Sequence, residues 1–198
     1  MIQTASAITP TAIKIMLIRH AEKPRGNPPP HGINAKGDHD EESLTVQGWQ
    51  RAGALAVFFA PLAGAFQNSK IATPATIYAS QIIKGNGSER PQETVISLID
   101  KLGSGNVKGK FNYAKGQEKE VANSAQARNG VVLICWEHHN ISKIVNHFPI
   151  SKNNPTPVPS EWPDDRFDLV WVFDLDSGSG GYRFTQIPQL VLAGDAPI

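Results

Sequence analysis

Ile15-Met16-Leu17-Ile18-Arg19-His20-Ala21-Glu22-Lys23-Pro24 decides how the chain folds. An apolar run stops abruptly at an arginine and a histidine, and a small residue, a charged pair and a proline follow. This is the pattern of a buried parallel strand whose C-terminal end opens into a loop at a site. Pro24 cannot continue a central strand, and it pushes Lys23 toward extended or turn geometry. Arg19 and His20 therefore stand where strand becomes loop, pairing a permanent cation with a nucleophile that is partly neutral at pH 7. The rest of the sequence has to show whether a second arginine and a second histidine reach the same place.

The surrounding composition is that of an ordinary globular chain. Of 198 residues, 40% are hydrophobic and 19% charged, with a formal net charge of +1. That length suits a single domain over residues 1–198, with 1–12 as a loose N-terminal arm. The near-neutral balance gives no electrostatic reason to expect nucleic acid or an anionic membrane as partner. Cys135 is the one cysteine, which rules out an internal disulfide framework and a cysteine zinc site, and its apolar surroundings predict a buried, inert thiol. No basic start with a long apolar core precedes residue 14, and no apolar stretch approaches the ~20 residues needed to span a bilayer. The expectation is a cytoplasmic protein. Asn86-Gly87-Ser88 and Asn140-Ile141-Ser142 are then chance matches to a glycosylation sequon.

Read in order, residues 13–19 form the first strand, and 24–43, rich in Pro, Gly, Asp, His and Asn, form a long polar loop. Thr45 is a plausible N-cap for a helix running to about Gly64 with Val46, Trp49, Ala52, Leu55, Ala56, Phe59 and Leu62 at helical spacing; Trp49 is read as core. A short strand over 75–80 ends in Ser80, and a helix from Arg90 to about Leu102 stops at Gly103, with Val95 and Leu98 in its core stripe. A short strand is expected near Phe111, a polar-faced helix over 118–127, a buried strand over 131–136 and a short helix over 141–147. Residues 149–165 carry five prolines and form a surface excursion. Strands over 168–174 and 182–187 flank a glycine-rich hairpin turn. Strands alternating with helices predict an α/β fold, a three-layer α/β/α sandwich with a mostly parallel central sheet.

In such a sheet the C-terminal strand ends converge on one crevice. Arg19-His20, then Ser80 with Arg90, then Glu137-His138-His139-Asn140 would meet there. Two arginines and two or three histidines suit a dianionic phosphoryl group, because guanidinium groups bind its oxygens bidentately and offset charge during transfer. A neutral histidine can attack phosphorus and carry it as phosphohistidine, while a second, charged one donates to the equatorial oxygens.

These elements, in this order, resemble the histidine phosphatase superfamily, the phosphoglycerate-mutase-like fold. Arg19-His20-Ala21 stands where that family has Arg-His-Gly. Tyr78-Ala79-Ser80 with Arg90-Pro91-Gln92-Glu93-Thr94 fits its second element, with a longer loop between, and Leu133-Ile134-Cys135-Trp136-Glu137-His138 fits its last. Leu44-Thr45-Val46-Gln47-Gly48-Trp49-Gln50-Arg51-Ala52 resembles one branch of it. The resemblance covers roughly residues 13–148 and implies a metal-independent phosphohydrolase that uses no cofactor. It makes His20 the nucleophile, with Arg19, Arg90 and His138 binding the substrate phosphate and His139 as the rival of His138. The implied partner is a small phosphorylated substrate or a phosphopeptide. A phosphomutase and a catalytically weak phosphate-binding or regulatory module of the same fold are the alternatives.

The proton donor is not assigned by the sequence. Glu118 and Glu120 are the candidates, and both also fit a solvated helix face; Glu137 is expected to point to the far side of its strand, and Glu22 and Glu93 are candidates for orienting the arginines. Lys23 is read either as reaching the phosphate or as an exposed loop lysine, and Lys84 as a solvated one. His31, His39, Asp38, Asp40, Glu41 and Glu42 lack a recognised ligand spacing, so no metal is expected. Gly105-Asn106-Val107-Lys108-Gly109-Lys110-Phe111 has the wrong glycine spacing for a phosphate loop.

Overall fold

The computed structural model describes residues 9–25, 29–83, 87–103 and 107–198. Lys84, Asn86, Gly105 and Asn106, and most of the expected N-terminal arm, lie outside them. The arm's final residues are tied down: Thr11 donates its backbone N–H to Gln126 O at 2.8 Å, and Ala12 is already buried in the first strand.

The elements run β1 (Ala12–Arg19), α1 (Val46–Phe59), β2 (Thr76–Ala79), α2 (Arg90–Leu102), β3 (Lys108–Lys110), α3 (Glu118–Gln126), β4 (Gly130–Trp136), α4 (His138–Val145), β5 (Leu169–Asp176) and β6 (Gly181–Pro188). They build a six-stranded sheet in the order β3-β2-β4-β1-β5-β6 with helices on both faces. Side chains alternate along each strand, so β1 sends Ile15 and Leu17 to one face and Met16 and Ile18 to the other. Val121, Ala125, Ile141 and Ile144 of α3 and α4 cover the first face. Leu55, Phe59, Val95 and Leu98 of α1 and α2 cover the second.

The sheet departs from the expected mostly parallel arrangement: it is mixed. Pairings β1/β4, β4/β2 and β2/β3 are parallel, whereas β5 is antiparallel to both β1 and β6. The reason lies in the proline-rich excursion. It leaves the bottom of the sheet at Ile150, which bridges to Tyr182, and climbs one face, where the Trp162 ring packs 5.0 Å from that of Trp171. The chain thus reaches the top edge with no crossover helix left to return it, and enters β5 heading down.

Helix α1 is shorter than its apolar spacing suggests. It ends at Phe59, ahead of Pro61, and leaves Leu62 94% exposed. Val46 is exposed as well. Thr45 caps the helix as expected, accepting from Gly48 N at 3.2 Å. Trp49 is not a central core residue. It is half-buried in a small cluster with Ala21, Leu44 and Ala52, and its Nε1 donates to Ile33 O at 2.6 Å, pinning the 31–44 loop. Gly48 lets α1 press against the segment after β1, since a Cβ there would come within 2.6 Å of Glu22 O. Arg51 completes that joint, buried between Glu22 at 2.8 Å and Asp195 at 2.7 Å. Among the described residues no helix is long and apolar enough to cross a membrane.

Candidate active site

The top edge of the sheet holds a cavity of about 250 Å³ whose walls include His20, Lys23, Ser80, Arg90, Glu137, His138 and His139. His20, Arg90 and His138, far apart in the sequence, therefore face one hollow.

His20 follows β1 directly, and its backbone N–H extends the β1/β4 pairing by donating to Trp136 O at 3.1 Å. Its ring is 3% exposed, with Nδ1 2.8 Å from Ala21 O. A carbonyl only accepts, so Nδ1 carries the proton and Nε2 keeps its lone pair. Burial, reinforced by the Arg19 and Arg90 charges, brings the ring pKa down to about 3, despite the opposing Ala21 hydrogen bond. His20 is thus a neutral imidazole with a fixed tautomer. Ala21 is itself fixed: its N–H donates to Thr94 Oγ1 at 2.9 Å, and that hydroxyl donates to Arg90 O at 2.7 Å, linking the segment after β1 to the first turn of α2.

Arg90 opens α2, with Pro91 next to it in the first turn. Its Nε donates to Ser43 O at 3.2 Å and its Nη2 to Glu41 O, with Glu42 Oε2 3.5 Å away. Burial lowers its pKa, countered chiefly by Glu42. Glu93 does not touch a guanidinium. It accepts from the Ser43 hydroxyl at 2.8 Å and Leu44 N at 2.9 Å, which holds the loop segment that Arg90 grips. Glu22 belongs to Arg51 rather than to Arg19 or Arg90.

His138 begins α4, separated from β4 by Glu137 alone, three residues earlier than the expected helix start. It is buried, whereas the neighbouring His139 is mostly exposed, with ring centroids 3.8 Å apart. Its Nε2 lies 3.1 Å from Asp164 Oδ1. Burial first, then the Arg19 charge, lowers its pKa to about 4, so the ring is neutral rather than charged as expected from sequence.

Arg19 occupies the face of Ile15 and Leu17. Its guanidinium lies 3.7 Å over the Phe167 ring, and Nη1 donates to Asp164 O at 2.5 Å. It lines an adjoining hollow with Lys23, Arg25, Asp164, Asp165 and Phe167. Burial lowers its pKa to about 10, so it stays charged at neutral pH. Among the described residues, Arg19 Nε and His138 Nδ1 are the two buried side-chain atoms without a hydrogen-bond partner.

The carboxyls sort differently from the sequence reading. Glu118 is buried, receiving Gly116 N at 3.0 Å and Trp136 Nε1 at 3.3 Å, while Glu120 is exposed. Glu137 does not turn away: as the residue preceding α4 it lines the cavity, held by Asn140 Nδ2 at 2.6 Å and by Lys115 Nζ at 3.3 Å. Lys23 also lines the cavity. Asp164 and Lys115 were not picked out by sequence. Asp164 lies in the proline-rich excursion, and no local motif marks it, because its approach depends on β5 running downward.

No protein-family model matches the chain, and no curated protein is significantly similar to it. Among solved structures, one from Agrobacterium tumefaciens, described as a candidate phosphohistidine phosphatase SixA, superposes with a TM-score of 0.50 at 14% sequence identity, covering 89% of this chain and 97% of its own. At that identity the likeness is one of fold, and the mixed α/β architecture described above is consistent with an α/β phosphatase fold.

Proposed function

We propose that the chain is a phosphohydrolase that removes a phosphoryl group through a phosphohistidine on His20. The observation that carries this reading is the shared cavity of His20, Arg90 and His138, with the His20 tautomer leaving Nε2 as the attacking atom. Neutral Nε2 attacks phosphorus, the N–P bond forms and the P–O bond to the leaving group breaks. Water then attacks phosphorus as the N–P bond breaks, and the carboxylate that protonated the leaving group takes the water's proton, releasing phosphate and restoring the imidazole. The guanidinium fork of Arg90 and a protonated His138 bind the non-bridging oxygens, and a bound dianion favours that protonation. Glu137, on the cavity wall beside His138, is the carboxyl best placed to protonate the leaving oxygen. No metal enters these steps. The substrate is a phosphorylated small molecule or protein, and the name of the structural neighbour adds phosphohistidine as a class to test.

One observation favours a second reading, a phosphate-binding module with little turnover: Arg19 spends Nη1 on the Asp164 carbonyl instead of the cavity. A single experiment separates the two. Incubation with a ³²P-labelled phosphodonor and an acid quench yields an acid-labile phosphoenzyme in the wild type and none in His20→Ala if His20 is the nucleophile. Tight vanadate binding with no label and no hydrolysis of an activated aryl phosphate selects the module.

A further inference from the structure

The 31–44 loop carries a group that the proposed hydrolysis leaves unused. His31, His39 and Glu41 place their ligating atoms all within 4.8 Å of one another. His39 Nε2 lies 2.6 Å and His31 Nδ1 3.4 Å from the same oxygen, Glu41 Oε1, and the two rings meet edge to face with centroids 4.7 Å apart. The sequence hides the group because the two histidines are eight positions apart, with no regular ligand spacing. The fold assembles it by a tight reversal, in which Ile33 pairs with His39 and Asp40 N donates to Gly32 O at 2.9 Å. Gly32 is required there, since a Cβ would come 2.0 Å from Asp40 O. Asn34 Oδ1 braces the turn by accepting from Lys36 N at 2.9 Å and Asp38 N at 3.0 Å, and Trp49 anchors its base through Ile33 O. The backbone that bears the three side chains is thus fixed on both arms.

We propose that His31, His39 and Glu41 form a binding site for a zinc-type divalent transition metal. Two imidazoles and one carboxylate are a donor set suited to such ions, with remaining positions left to water. Donors about 2.0–2.1 Å from a tetrahedral ion stand roughly 3.3 Å apart. The His31–Glu41 separation already matches, and the His39–Glu41 pair has to open by only about 0.7 Å. The three side chains, 42%, 59% and 52% exposed, have the rotational freedom to do so. The site also touches the phosphate pocket through one residue, because Arg90 donates to the Glu41 carbonyl.

The test is calorimetric titration of the full chain with zinc chloride, paired with the visible absorption of added Co²⁺. One zinc per chain is expected, with affinity reduced more than about tenfold in His39→Ala and in His31→Ala and unchanged in His139→Ala. These loop variants sit on the surface, and circular dichroism checks their fold; the Co²⁺ spectrum of the wild type needs no variant. Absence of micromolar binding overturns the proposal. So does zinc affinity that survives His31→Ala/His39→Ala but is lost in His139→Ala, which assigns the ion to the Glu137, His138 and His139 group instead. Because zinc binding is read without substrate, its failure leaves the phosphoenzyme result untouched, and the reverse also holds.

Discussion

The Nε2 atom of His138 stands 3.1 Å from Oδ1 of Asp164, so the ring expected to receive a phosphoryl oxygen is already engaged by a carboxylate from another part of the chain. The Asp164 side chain is 79% exposed, which makes this contact easy to displace. An incoming anion has to compete with it. Asp164→Asn is therefore expected to tighten vanadate or phosphate binding about three- to tenfold, with little change in thermal stability. Competitive inhibition of aryl phosphate hydrolysis measures it, and weaker inhibition in the variant contradicts the competition.

Arg90 spends its guanidinium on two carbonyls of one loop while facing the cavity. Lysine keeps the charge but loses the fork. Arg90→Lys is expected to lower phosphate affinity by at least about tenfold. Titration with orthophosphate gives the value, and an affinity within twofold of wild type removes Arg90 from the binding set.

Glu137 is expected to matter in proportion to the leaving group's need for a proton. In Glu137→Gln, kcat falls by about 10²–10⁴ for an alkyl phosphate and far less for a nitrophenyl phosphate. Equal losses on both substrates point to a positional role instead.

Acid should destabilise the fold through the two buried imidazoles. Both are neutral when folded, at about 3 for His20 and about 4 for His138, and both return to about 6.5 on unfolding. Between those values the unfolded chain binds more protons, so stability is fully present above pH 6.5 and declines as the pH falls toward 4. His20 alone contributes at most about 1.4 kcal/mol per pH unit in that window. Urea melts at pH 7 and pH 5 should differ less in His20→Asn than in the wild type.

Arg51 tests the structural side. It is buried between Glu22 and Asp195, and its Nη1 also donates to Gln189 Oε1 at 2.9 Å. Arg51→Ala strands two carboxylates, one of them buried, and is expected to cost about 3–5 kcal/mol by urea denaturation.

Much of this was readable in the sequence. The apolar run into Arg19-His20 and the run into Trp136 each identified a central strand and the rim residues after it, because a strand buried on both faces leaves a continuous apolar signature. Arg90 was legible from its place at the head of an amphipathic helix. What escaped notice depended on direction rather than pattern. The strand over 169–176 looks the same read upward or downward, so neither the antiparallel β5 nor the arrival of Asp164 at His138 could be foreseen. Glu137 faces the cavity rather than the far side of β4 because the strand ends one residue before it and the chain turns into α4.

The reversed course of β5 also separates two tasks that a purely parallel sheet would join. The polypeptide enters that strand at the rim where β1 and β4 exit, so residues just ahead of Leu169 hang over the pocket while everything after it is locked into hydrogen-bonded register with β1 and β6. Substitutions at the exposed Asp164 and Asp165 thus redraw the rim above His20, while Trp162 and Asp168, buried on either side of them, keep the excursion on the scaffold. Variation in reach and selectivity has a natural outlet there.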